Sequence, residues 1–93
     1  MGVAVRVPGP LRGYTAGKGE VEIEGMPGTV GEALAALWAR YPAVRDRLVT
    51  EKGDVRPHVN IFVGRESIRY TGGLATPLQS GATISIIPAV SGG

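Results

Sequence analysis

The sequence has no cysteine, a single histidine, and few aromatic residues: one Trp, one Phe and three Tyr. Without cysteine there is no disulfide framework, no thiolate zinc site and no cysteine nucleophile. His58 has no second His or Cys to complete a conventional zinc site, so it reads as a surface or strand-end residue and no metal is expected. No uninterrupted apolar run approaches the roughly 20 residues of a membrane helix. The start, Met1-Gly2-Val3-Ala4-Val5-Arg6-Val7-Pro8, lacks the basic opening and long apolar stretch of a secretory signal. Arg6 also stands where a myristoylation signal has Ser or Thr. Ten Lys+Arg against eight Asp+Glu leaves a net charge of +2, too even a balance for the clustered cations and aromatics of a nucleic-acid binder. The expected setting is cytoplasmic, with neither membrane nor nucleic acid as partner.

What the sequence does have is 93 residues, 43% hydrophobic content, 15 Gly and 7 Pro. That length fits one small core and leaves no room for a second. Val3, Val5 and Val7 recur at period two, as does the run Glu20 to Glu24, with Val21 and Ile23 on one face and glutamates on the other. Both read as half-buried strands, joined by a glycine-rich loop over residues 11–19. Thr29-Val30-Gly31-Glu32 has the spacing of a capping box. Val30, Ala33, Leu34, Leu37, Trp38 and Tyr41 then form one helical stripe, which places Trp38 and Tyr41 in the core. Pro42 ends that helix, and Val44 and Leu48 anchor at most one further turn. His58 to Val63 forms the next strand, Gly64 to Ser67 a turn, Ile68 to Tyr70 a short edge strand, and Ala82 to Pro88 the last strand. Leu74 and Leu78 anchor the loop between. One amphipathic helix needs one sheet face to cover, so the expected fold is α+β, a mixed sheet in the beta-grasp (ubiquitin-like) order, with residues 1–88 as the domain and 89–93 as a flexible tail.

Little in this pattern supports catalysis by the chain itself. Gly17-Lys18 invites a phosphate-loop reading, but the spacing fails and Gly19 stands where that motif has Ser or Thr. The carboxylates are scattered, and Arg6, Arg65 and Arg69 read as surface charges or docking contacts. Two other features point to a function. Alternation turns Phe62 and Ile87 away from the helix on adjacent strands, either as a docking patch or beneath a covering loop. The chain also closes on Ser91-Gly92-Gly93, residues able to thread a narrow channel because the glycines carry no β-carbon. A terminal carboxylate, with a reference pKa of about 3.5, is anionic at neutral pH and a poor electrophile. Acyl chemistry at Gly93 therefore requires prior activation.

The Val59-Asn60-Ile61-Phe62-Val63 strand, the Gly72-Gly73-Leu74-Ala75-Thr76 segment, the turn at Gly81 and the ending Pro88-Ala89-Val90-Ser91-Gly92-Gly93 resemble the ThiS/MoaD family of ubiquitin-like sulfur carriers, most of all its cysteine-biosynthesis branch. Many members have Asp after the turn glycine, where this chain has Ala82. The resemblance implies a protein co-substrate, not an enzyme, with no permanently bound cofactor. A ubiquitin-activating-like partner would use ATP to adenylate Gly93, and sulfur transfer would leave a thiocarboxylate there. In the cysteine branch a pyridoxal-phosphate cysteine synthase would supply an aminoacrylate made from O-phosphoserine for the thiocarboxylate to attack, and a zinc metallopeptidase would release the cysteine. The alternatives are the small subunit of molybdopterin synthase, donating sulfur through a large subunit, carriers for thiazole synthesis or tRNA thiolation, a modifier conjugated through Gly93 to lysines, and an inert interaction module.

Overall fold

The computed structural model describes residues 2–88, except for the side chain of Pro88. The two period-two runs form β1 (Val3–Arg6) and β2 (Glu20–Ile23), antiparallel, with Val5 opposite Val21. Their apolar residues face one side, where Val3, Val5, Val21 and Ile23 are buried, and the intervening Arg6, Glu20 and Glu22 face water. β3 (Val59–Val63), the two-residue β4 (Glu66–Ser67) and β5 (Thr83–Pro88) complete a sheet ordered β2-β1-β5-β3-β4. β5 runs parallel to β1 and antiparallel to β3, so the last strand occupies the centre of a mixed sheet.

Helix α1 (Val30–Arg40) covers the apolar face. Thr29 Oγ1 accepts from the Glu32 backbone N–H at 3.2 Å, and Glu32 Oε1 accepts from the Gly28 N–H at 2.6 Å. The reciprocal bond of the expected capping box thus falls one residue ahead of the cap, and it still satisfies an amide at the helix start. Val30, Ala33, Leu34 and Leu37 are buried against Val59, Ile61, Ile84 and Ile86 of the sheet. Each large apolar side chain so buried contributes about 1.5–3 kcal/mol before ordering costs.

Several local expectations are corrected. Trp38 and Tyr41 are only half-buried: Trp38 lies at the edge of the stripe that Val30, Ala33, Leu34 and Leu37 define, and Tyr41 stands past the last turn of α1 as its C-cap, where the backbone is no longer helical. Pro42 does end α1, but it also opens a full second helix, α2 (Pro42–Leu48). Proline is tolerated at the first helical position, where its missing N–H has no intrahelical partner. Val44 and Leu48, one turn apart, are both completely buried. The connection after β1 is a 3-10 helix over Gly9–Tyr14, where a loop was expected.

The edge strand expected at Ile68–Tyr70 is a 3-10 turn, with the ladder to β3 carried by Glu66–Ser67 instead. Ile68 is buried, and Ser67 Oγ accepts from the Arg69 N–H at 3.3 Å, which bends the chain as soon as Ile68 has entered the core. Ala82 precedes β5 and is half-buried.

Candidate functional site

The face of the sheet turned away from α1 carries Phe62 and Ile87. The β3–β5 register sets Asn60 opposite Ile87 and Phe62 opposite Ser85, so Phe62 and Ile87 are diagonal neighbours on one face. Such diagonal pairs lie about 7–8 Å apart, within reach of one partner side chain. Ile87 is 48% exposed, whereas its neighbour Ile86 is 3% exposed and belongs to the core. Phe62 is half-buried, flanked by Ser85 on β5 and Ser67 on β4.

Two hollows border this pair. One, of about 500 Å³, includes Phe62, Asn60, Arg65, Arg69 and Tyr70 in its lining. The other includes Ile87, Arg6, Arg12, Glu20 and Ser85. Tyr70, 87% exposed, was not singled out by sequence. Its aromatic character is the signal in the sequence, and the short apparent strand Ile68–Tyr70 masks it. The Arg6–Glu20 pair at 3.7 Å is exposed on both sides and adds little stability. Arg69 is more than a surface charge. Its guanidinium donates to Pro57 O at 2.9 Å and to Val59 O at 3.0 Å, and Val59 is the residue that pairs with Pro88.

The other expected site residues, Ser91, Gly92 and Gly93, lie outside the described residues, as does the expected tail 89–93 as a whole. β5 leads into them from mid-sheet, with β1 on one side and β3 on the other. His58 borders a hollow with Asp46, Arg47 and Arg56. Among the described residues there is no group of three His, Cys, Asp or Glu placed to hold a metal ion, and no helix long and apolar enough to cross a membrane.

A mixed five-stranded sheet with its last strand central and a helix across one face is the beta-grasp arrangement of ubiquitin-like proteins. The sequence model of the ThiS family matches residues 5–93, and the chain belongs to that family. It is 38% identical over 95 residues to the sulfur carrier protein CysO of Mycobacterium tuberculosis, covering 100% of both chains. It is 40% identical over 65 residues, 70% of each chain, to small archaeal modifier protein 3 of Haloferax volcanii. The crystal structure of the Amycolatopsis orientalis BexX/CysO complex contains a chain that superposes with a TM-score of 0.88 at 36% identity, covering 98% of this chain and 99% of that one. These relatives are small carriers and modifiers.

Proposed function

We propose that the chain carries sulfur as a thiocarboxylate on Gly93 and delivers it for cysteine synthesis. The observation that carries the reading is full-length similarity to CysO, with the family match running through Gly93. In the proposed chemistry an oxygen of the Gly93 carboxylate attacks the α-phosphorus of ATP on a partner adenylating enzyme, expelling pyrophosphate. A sulfur nucleophile then displaces AMP and leaves the thiocarboxylate. The thiocarboxylate sulfur adds to an aminoacrylate held by a pyridoxal-phosphate cysteine synthase, and a zinc metallopeptidase hydrolyses the cysteinyl product to restore Gly93.

The chain's own part is presentation. Phe62 and Ile87 would dock the partner, while Ser91, Gly92 and Gly93 would thread toward its catalytic groups, the glycines offering no side chain to obstruct attack. ATP, pyridoxal phosphate and zinc belong to the partners in this scheme.

A second reading has support of its own, since similarity to small archaeal modifier protein 3 favours conjugation of Gly93 to lysines. One reconstitution separates the two readings. In that test the purified chain is incubated with its adenylating enzyme, ATP and a sulfur donor, then with O-phosphoserine and the cysteine synthase. The expected products are the thiocarboxylate and then a cysteine adduct. Removing Gly92 and Gly93 abolishes both and leaves the fold intact, and Phe62→Asp slows loading without unfolding. Isopeptide products without a cysteine adduct would establish the modifier reading instead.

A further inference from the structure

Four arginines from separate parts of the chain gather at the end of the sheet where β5 finishes. Because β1 and β5 are parallel, Val7 stands level with the last residues of β5, and Val59 pairs with Pro88. Arg12 Nε donates to Val7 O at 3.0 Å. Its guanidinium lies so close to Gly19 that a β-carbon there would approach it to 2.9 Å. On the β3 side, Arg69 is held by Pro57 O and Val59 O. Arg56, three residues before Val59, donates its Nε–H to Asp46 O at 2.9 Å, and Arg47 sits over the ring of Tyr14, two residues after Arg12, 4.9 Å from its centroid.

Among the described residues none of these four guanidiniums has a carboxylate within 4.0 Å, and the ion pairs found are Arg6–Glu20 and Arg45–Asp46. Each is nonetheless anchored, by a backbone carbonyl or an aromatic ring, and retains N–H donors. An anchored guanidinium loses less rotamer freedom on meeting an oxyanion than a free side chain does. The four do not converge on one point. Arg12 borders one hollow with Arg6 and Glu20, Arg47 and Arg56 a second with Asp46 and His58, and Arg69 a third with Arg65 and Glu66, so cations outnumber carboxylates in each. That spread suits a broad acidic surface better than a single small anion.

We propose that this arginine rim docks against an acidic protein surface surrounding the opening that receives the chain's end. The inference rests on the carrier reading for the identity of that partner, but its electrostatic content is testable alone. The rim sits beside the departure point of residues 89–93, so contact there orients the chain while Phe62 and Ile87 supply apolar contact on the sheet face. Complementary charge of this kind raises the association rate and suppresses wrong partners more than it deepens affinity.

The test titrates the isotope-labelled full chain with poly-L-glutamate, and separately with polyuridylic acid, at two salt concentrations. The expected result is that glutamate polymer shifts the Nε–H signals of Arg12, Arg47, Arg56 and Arg69 and that binding weakens with salt. R47Q/R56Q weakens it about tenfold, against less than about twofold for R40Q/K52Q, which removes the same charge elsewhere. R12Q and R69Q, each expected to cost about threefold, replace the double variant should it fail to fold. Equal losses in both double variants, or tighter binding to polyuridylic acid than to poly-L-glutamate, would overturn the proposal. Loading of the unaltered chain with sulfur is measured separately, so failure of the carrier reading is distinguishable from failure of the rim.

Discussion

Adjacent isoleucines on β5 make opposite demands on the molecule, and truncating each in turn measures the two faces of the sheet. Ile86 is 3% exposed and Ile87 48% exposed, on the same strand and one residue apart. Ile86→Ala removes three buried carbons and leaves a cavity in the core, for a loss of about 3 kcal/mol. At roughly 4–8 °C per kcal/mol for a domain of this size, the midpoint falls by about 12–24 °C. Ile87→Ala removes the same atoms from a half-exposed site with no cavity to leave. At about 0.8 kcal/mol per fully buried carbon, halved for exposure, its loss is about 1 kcal/mol. The strand-propensity change is common to both and largely cancels in the comparison. Thermal and urea unfolding followed by circular dichroism, with Trp38 fluorescence as a second probe, gives both values. Loading by the adenylating enzyme, assayed well below either midpoint, should fall in Ile87→Ala and stay near normal in Ile86→Ala. Equal stability losses would refute the face assignment, and undiminished loading of Ile87→Ala would remove that residue from the docking surface.

Other substitutions test the scaffold. Thr29→Ala removes the side-chain acceptor for the Glu32 amide and should cost about 1 kcal/mol in urea unfolding. Gly31→Ala would ordinarily gain about 1 kcal/mol of helix propensity. Here the new β-carbon meets Leu74 O at 3.1 Å, so no rise in the melting midpoint is expected. Trp38 borders a small cavity of about 60 Å³ with Leu34, Val49 and Leu74 but is only half-buried. Trp38→Ala should therefore cost about 2 kcal/mol, below the usual 3–5 for a fully buried aromatic, as read by chemical denaturation.

The strands of this fold are legible in sequence because valine and isoleucine at period two with polar residues between them admit few other readings. α1 is legible because a cap at Thr29 coincides with a four-residue apolar core, Val30, Ala33, Leu34 and Leu37. α2 is harder to read because its buried residues are only Val44 and Leu48, and Pro42 signals a stop as readily as a start. Over Ile68–Tyr70 the sequence pattern misleads, because burial of one side chain, Ile68, outweighs any strand periodicity over so short a run. At the candidate site, alternation correctly separates Ile87 from Ile86 and places Phe62 on the same face. The arginine rim is a different matter. Arg12, Arg47, Arg56 and Arg69 come together only through the sheet register and bonds to distant carbonyls, and no local pattern announces such long-range placement.

Whether the Gly93 carbonyl carries sulfur is read most directly by intact mass spectrometry of the protein isolated from its native host. The expected result is a fraction of molecules heavier by one oxygen-for-sulfur exchange and a further fraction bearing cysteine, both changes confined to the fragment containing Gly93. A population showing only the unmodified mass, under conditions where the partner enzymes are present and active, would contradict it.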